Sequence, residues 1–536
     1  MSEAPPAPMP VIGRRTALAA AAAAFAAPLL FALVSREVWE DYYITFRSSR
    51  HLAEGHGLVY QVGEAVHTFT SPLGVLLPAL GFTLTGTDDA ALWFFRIISA
   101  LALAGTAALV AGHARDQGWS RATGWFALCL GVLEAKIVAF SANGMETAFL
   151  VLFTALAWRE LTCPGGLRVR WLALGYAGLM WTRPDACVPA AAMTFSWWVF
   201  GPRRLTPDER VWWRGLAPAL LLGGLLYVPW FFWAWHYYGS PVPQTIIAKS
   251  ALMPGGLDAG RILAAPFRLL VDNTALDGLF APIYPTTGGW PLPLLVAGRG
   301  LARLAAFLWL APFLPRATRA ASLAVLLGGV YFHQIMPYPW YYAPWTLLGA
   351  LALAGAGRAA AARLAPAGAS LLRLTAAVAA AGVLLVTAAQ AYAAQQQQRL
   401  IEDGGRRQIG LWLKAHARPA DRVFLEPIGY IGYFSQLKIL DFPGLCAPEV
   451  SRLVRSGPGG YARLITTLQP DWLVLRPYEI EHQNLLNSGS LAAYVAVGHW
   501  DQRAAVDARH FLPGRNWLLF DAEFYVFRRR TADWPR

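Results

Sequence analysis

Long apolar stretches separated by short basic ones dominate the chain from Thr16 to about residue 390. A helix of roughly 20 apolar residues crosses the hydrocarbon layer of a bilayer. Read against that length, the pattern predicts about eleven spans. They are 16–34, 89–112, 122–141, 145–161, 171–183, 186–200, 215–235, 290–314, 320–335, 343–357 and 370–390. "TRPD" (182–185) splits the stretch 171–200 in two, and 290–314 carries Arg299 and Arg303. The segment "TSPLGVLLPALGFTLTG" (70–86) is apolar but short. Pro72 suits a first helical turn, so a helix lying along the membrane surface is expected there.

Beyond "AAQQQQ" the pattern changes. "RRQIGLWLKAH" reads as an amphipathic helix, and "DRVFLE", "LKILDF" and "DWLVLR" read as strands. "GYIGYFS" reads as a short turn or helix, and "YARLITTL" as a helix between strands. The end, "NWLLFDAEFYVFRR", alternates like a closing hairpin. Alternating strand and helix predict a soluble α/β domain. The expected organisation is a membrane domain over 1–390, with a first outer loop at 35–88, and a soluble domain over 391–536.

Composition agrees with that class. The chain of 536 residues is 56% hydrophobic and only 14% charged, where soluble proteins sit near ~25% charged. Its net charge of +13 is concentrated between apolar runs. The basic positions are Arg14–Arg15, Arg115 with Arg121, Arg168 with Arg170, Arg203–Arg204 with Arg210 and Arg214, Arg316 with Arg319, and Arg358 with Arg363. Basic short loops stay cytoplasmic. The excess charge therefore encodes topology rather than a nucleic-acid surface. It places 35–88, the turn at 141–146, 183–185, 236–289, 333–342 and everything after about 391 on the outer side. The N-terminal twin arginine and apolar run are read as an uncleaved first span. The four cysteines show no paired spacing, and hence no disulfide framework and no metal motif. The absence of an internal repeat weighs against a transporter built from repeated halves.

Ionisable groups gather where the chain leaves the first span. Glu40–Asp41 is followed by Tyr43, Arg47, Arg50 and His51. Other outer segments contribute at the same depth. "SANGMETAF" places Glu146 at a helix start, with Asn143 as a candidate cap. "WTRPDA" places Arg183 between two apolar halves, with Asp185 as a candidate partner. "WHYYGSPVPQTIIAKS" brings His236, Gln244 and Lys249, and "HQIMPYPWYYAPW" brings His333 on an aromatic face.

These stretches resemble the outer-loop motifs of GT-C-type polytopic membrane glycosyltransferases, and more narrowly the bacterial branch of the arabinofuranosyltransferases. The matching positions are Glu40–Asp41, Tyr43, Arg47, Leu52, Gly55, Gly57, Gly63–Glu64, Val66 and Thr70–Leu73. "GMET" (144–147), "TRPD" (182–185), "YYG…PQT…AK" (237–249), "PWYYAP" (339–344) and "GYIGYFSQLKILDFPGL" (429–445) follow in order. Two positions depart from the branch pattern: Glu40 stands where a first Asp is usual, and His51 where an Asn is expected.

The resemblance implies an inverting enzyme of the bacterial plasma membrane with an outward-facing site. It would move a sugar, arabinofuranose among the candidates, from a polyprenyl-phosphate donor to a glycan, lipid or protein acceptor. A carboxylate must take the acceptor's proton, and cations must steady the departing phosphate. Asp41 is expected as the base, with Glu40 and Glu146 as helpers. Arg183, Lys249 and Arg47 are expected at the phosphate, and His51, Tyr43, His236, Gln244 and His333 at the substrate. An acid pair can bind a divalent cation through oxygen, but no spacing here demands one. The alternative, a transporter or flippase of a lipid-linked saccharide, would need ionisable groups inside several spans; Glu134, Lys136, Arg299 and Arg303 are the ones present.

Overall fold

The computed structural model describes residues 12–201, 207–252, 258–271, 275–284, 288–335, 337–457 and 460–530, with the side chains of 207–213 excepted. Arg203 and Arg204 of the expected basic loop, and the side chain of Arg210, lie outside them. Every segment expected to span is largely helical. In chain order the first helices are α1 (Arg14–Ser35), α2 (Glu40–Ala53), α3 (Pro72–Thr85), α4 (Asp88–Asp116), α5 (Arg121–Gly131), α6 (Ala135–Ala142), α7 (Thr147–Thr162) and α8 (Val169–Thr182). Then come α9 (Cys187–Phe200), α10 (Pro207–Tyr238), α11 (Gln244–Ala251), α12 (Ala259–Val271), α13 (Leu292–Phe307), α14 (Arg316–Phe332), α15 (Ala343–Ala361) and α16 (Pro366–Gln397).

Five described helices are long and apolar enough to cross a bilayer: α1, α4, the 214–238 part of α10, α13 with its extension to Leu310, and the helix that begins with α16. Counting α5 and α6 as one span bent by 54° makes six. The other expected spans are helices of 14 to 19 residues. Polar breaks shorten them. Glu134 caps α6 through the amides of Lys136 and Ile137, and Arg183–Asp185 separates α8 from α9. Three of the four charges expected inside spans are paired among the described residues; the buried Arg303 Nε has no hydrogen-bond partner among them. Lys136 donates to Glu134, both nearly fully buried, and Arg299 meets Asp277 at 3.0 Å. The helices pack around Phe95, Leu103, Trp158, Leu179 and Trp345. As expected, α3 starts at Pro72, and the Ser71 hydroxyl caps it by accepting from the Gly74 amide at 2.8 Å.

No break occurs at residue 391. A π-helical stretch, Gln398–Arg406, joins α16 to α17 (Arg407–His416), so one helix carries the chain from membrane to sheet. The sheet has the order β2-β1-β3-β5-β4. Its strands are β1 (Arg422–Leu425), β2 (Lys438–Asp441), β3 (Trp472–Leu475), β4 (Tyr494–Asp501) and β5 (Glu523–Arg529). The first three are parallel, and β5 runs antiparallel to both β3 and β4. Helices α18 (Tyr430–Ser435), α19 (Pro448–Arg455), α20 (Tyr461–Leu468), α21 (Pro477–His482), α22 (Arg503–Asp507) and α23 (Arg515–Phe520) complete it. The expected closing hairpin was misassigned. "NWLLF" is helical, and the partner of β5 is β4, whose pattern is interrupted by a bulge between Ala496 and Gly498.

The segment between α2 and α3 splices helices to sheet. Tyr60 donates to the Ile428 carbonyl at 2.7 Å. Gln61 accepts from the Ile439 amide at 2.8 Å, and Lys438 pairs with Glu64.

Candidate active site

The acid pair is set by a junction of three segments. Arg36, in left-handed backbone, ends α1, and Trp39, in extended backbone, opens α2. Arg96 of α4 donates to the carbonyls of Glu37 and Ala142, both at 2.7 Å, and the Trp39 amide donates to the Asn143 carbonyl at 2.9 Å. Gly144 has φ +99°, and a Cβ there would stand 2.5 Å from the Tyr42 ring. Only glycine allows that approach. The junction turns the start of α2 and the 143–146 turn toward one space.

Two cavities meet there. One, of about 550 Å³, lies against the helices and is lined by Asp41, Glu146, Arg183, Asp185, Tyr331 and Tyr341, with Ile246 and Ile335 on its apolar wall. The other, of about 540 Å³, lies beneath the sheet, lined by Glu40, Arg406, Glu426, Tyr461, Arg476 and Trp517. Asp41, Ile44, Lys249, Tyr338, Trp340 and Leu445 belong to both. Among the described residues no hydrogen bond or ion pair holds the Asp41 carboxylate. Burial pushes its pKa above the usual carboxylate range; the charges of Lys249 and Arg183 draw it down, and that of Glu426 pushes it up.

The cations differ in freedom. Arg183 donates Nε and Nη2 to Asp185 (2.9 and 3.3 Å) and Nη1 to Glu146 (3.1 Å), and its plane lies 4.5 Å over Tyr341. Three of its five N–H groups serve carboxylates, leaving two for another anion. Lys249, in the last turn of α11, sits 5.0 Å over the Tyr338 ring and forms no ion pair among the described residues. Asn143 does not cap α7; its amide donates to Glu37 at 3.4 Å.

Several expected site residues serve the splice instead. Glu40 accepts from the amides of Gly429 (2.6 Å) and Tyr430 (3.3 Å) and faces Arg406 at 3.5 Å. It is thereby engaged with the sheet side of the junction. Arg47, stacked 4.5 Å from Tyr60, donates to the carbonyls of Gly432 (2.9 Å) and Leu437 (3.1 Å) and lines neither cavity. His51 bonds the Val59 carbonyl at 2.8 Å, and burial lowers its pKa. Tyr43 packs among Tyr430, Tyr433 and Phe434. Gln244 donates to the Gly444 carbonyl and the Ser451 hydroxyl, at 2.9 and 2.8 Å. His236 is exposed on α10, and His333 ends α14; neither lines a cavity. Arg47, His51, Tyr43, Gln244, His236 and His333 thus line neither cavity, unlike Asp41, Glu146, Arg183 and Lys249. Polar side chains in a loop look alike in sequence whether they meet a ligand or another segment.

Residues that were not foreseen wall the second cavity. Arg406 pairs with Glu402 (2.9 Å) and Asp521 (2.6 Å), and Arg476 pairs with Asp521 (2.7 Å), Glu479 (2.8 Å) and Glu426 (2.8 Å). Arg476, directly after the apolar β3, was the visible signal; its partners lie up to 50 residues away.

A family model described as a domain of unknown function (DUF8728) matches residues 389–525. A curated terminal beta-(1->2)-arabinofuranosyltransferase of Mycobacterium tuberculosis (strain ATCC 25618 / H37Rv) is 26% identical over 236 residues, 40% of this chain. The match covers 35% of that relative's length. Two crystal structures of ArnT from Cupriavidus metallidurans share the fold at 14% identity. The one bound to undecaprenyl phosphate has a TM-score of 0.50, covering 97% of this chain and 99% of that one. The apo form has a TM-score of 0.52, covering 95% and 97%. In fold and in sequence the chain resembles the GT-C-type membrane glycosyltransferases, arabinofuranosyltransferases among them.

Proposed function

We propose that this protein is an inverting membrane glycosyltransferase that moves arabinofuranose from a polyprenyl-phosphate donor to a saccharide acceptor on the outer side of the plasma membrane. The observation that carries this is the Asp41 carboxylate, without a partner among the described residues, at the seam of two cavities that Lys249 also lines. The helix-side cavity suits the donor. Its apolar wall takes the first prenyl units, and Lys249 with the two remaining N–H groups of Arg183 meets the phosphate. The sheet-side cavity suits the acceptor.

In the reaction, Asp41 removes the proton from an acceptor hydroxyl as that oxygen attacks the anomeric carbon. Attack comes from the face opposite the phosphate. The bond from anomeric carbon to phosphate oxygen breaks, and polyprenyl phosphate departs with added negative charge. Lys249 and Arg183 meet that charge where it develops. The relative that acts on arabinofuranose and the undecaprenyl-phosphate complex of the shared fold support the donor class. The outward orientation rests on the basic loops.

The test is direct. Pure full-length protein is given a polyprenyl-phosphate arabinofuranose and an octyl arabinofuranoside. Release of polyprenyl phosphate with a new disaccharide of opposite anomeric configuration is expected. Retained configuration overturns the inverting mechanism, and turnover of only a different sugar overturns the donor assignment.

A further inference from the structure

One carboxylate of the sheet-side cavity, Glu426, takes no part in the transfer chemistry and keeps an oxygen without a partner among the described residues. Glu426 follows the last residue of β1, and Arg476 follows the last residue of the neighbouring β3. Arg476 donates Nη2 to Glu426 Oε2 at 2.8 Å. Arg476 itself is 4% exposed and held by Glu479 and Asp521, so Glu426 hangs from a fixed point. Its side chain is nevertheless 45% exposed and lines the cavity, and its Oε1 has no partner among the described residues.

Aromatic surface lies alongside. Tyr478 and Phe520 line the same cavity, 51% and 40% exposed, with ring centres 5.3 Å apart. An exposed aromatic face beside a free acceptor oxygen matches a sugar ring, whose C–H face is apolar and whose edge carries hydroxyl donors. Charge narrows the class. Glu40, Asp41, Glu426, Glu479 and Asp521 line this cavity against Lys249, Arg406 and Arg476: five carboxylates against three cations, His482 aside. A phosphorylated or acidic sugar would meet a surplus of like charge.

Resting on the function proposed above, we propose that the sheet-side cavity is the acceptor subsite for a neutral saccharide, and that Glu426 accepts its hydroxyl hydrogen bonds and holds the reacting hydroxyl toward Asp41. Tyr478 and Phe520 carry the ring face. Glu426 is thus a specificity-determining residue in contact with substrate, distinct from the base.

The experiment separates this from the transfer reaction. A tetra-arabinofuranoside is titrated, without donor, into the pure full-length protein, and binding is read by calorimetry. Glu426→Gln keeps the side chain's shape and loses the strong acceptor, and Tyr478→Ala removes the ring. Each should weaken saccharide binding about tenfold, with affinity for undecaprenyl phosphate and Tm unchanged. A second reading is the pH profile. Lys249, Arg183, Arg406, Glu40 and Glu426 all act on Asp41. Removing the Glu426 charge eases ionisation of Asp41, so the acid limb of kcat/KM in Glu426→Gln should move to lower pH, a change that a mere loss of packing would not produce. Saccharide binding equal to wild type in both variants overturns the proposal, as does a wild-type protein that binds no neutral saccharide. If saccharide binding depends on Glu426 and Tyr478 but arabinofuranose is never transferred, the donor assignment fails and the subsite stands.

Discussion

Replacing Asp41 with asparagine tests the mechanism most sharply. The substitution keeps volume and hydrogen-bonding shape and removes only basicity. Loss of a general base costs ~10²–10⁴ in rate, and the surroundings place Asp41→Asn at the upper end. Neither of the carboxylates expected as helpers can take over. Glu40 is engaged by two amides and Arg406, and Glu146 by Arg183. A fall of ~10⁴ corresponds to about 5.5 kcal/mol of barrier. Stability should move the other way. Burial raises the folded-state pKa of Asp41. A carboxyl with a raised folded pKa adds no penalty below its unfolded pKa. The penalty grows as pH climbs toward the folded pKa and is complete above it. At neutral pH, Asp41→Asn therefore removes a penalty, and its Tm should equal or exceed wild type. For the same reason, the acid limb of wild-type kcat/KM should lie above the pH of an ordinary aspartate. The assay is single-turnover transfer from a polyprenyl-phosphate arabinofuranose at matched protein concentration, with thermal unfolding alongside. Near wild-type turnover in Asp41→Asn would refute the assignment, and so would lost turnover with a lowered Tm, which would mark a structural role.

Lys249→Met keeps the stem on Tyr338 and removes the one cation at the seam without an ion pair among the described residues; donor KM should rise roughly 10–100-fold with Tm nearly unchanged, as donor titration and thermal unfolding would show. Arg183→Ala leaves Glu146 and Asp185 without their shared cation, so it should destabilise by ~3–5 kcal/mol in denaturant unfolding, with Arg183→Lys recovering part of that loss. Gly144→Ala puts a methyl 2.5 Å from the Tyr42 ring in backbone that L-residues resist; a loss of about 2–4 kcal/mol is expected, and unchanged unfolding would disprove the tight junction.

The sequence carried the class and most of the helices, because length and apolarity are local properties. Each expected span is largely helical, and the acid pair, Glu146, Arg183 and Lys249 all line the cavities. The failures were also physical. The expected span count treats every apolar run alike, and two runs carry polar interruptions: Glu134, which caps α6, and the turn Arg183–Asp185. The C-terminal hairpin was misread because alternation in "NWLLF" is as compatible with a short helix as with a strand. Arg47, His51, Tyr43 and Gln244 have the composition of a site, but their hydrogen bonds and ring contacts hold the loop after α2 and the sheet in place.

What tertiary structure alone decided is which acid is free. Glu40 and Asp41 are adjacent and chemically alike, and both open α2. Successive residues of a helix point about 100° apart, so the two carboxylates leave the backbone toward different neighbours. One meets the amides of Gly429 and Tyr430, almost 400 residues later in the chain, and is consumed in joining sheet to membrane helices. The other meets open space, Lys249 and the seam of two cavities. Periodicity and charge place both acids at the site from sequence; only long-range packing divides them into a fastener and a carboxylate without a partner among the described residues, the one proposed as base.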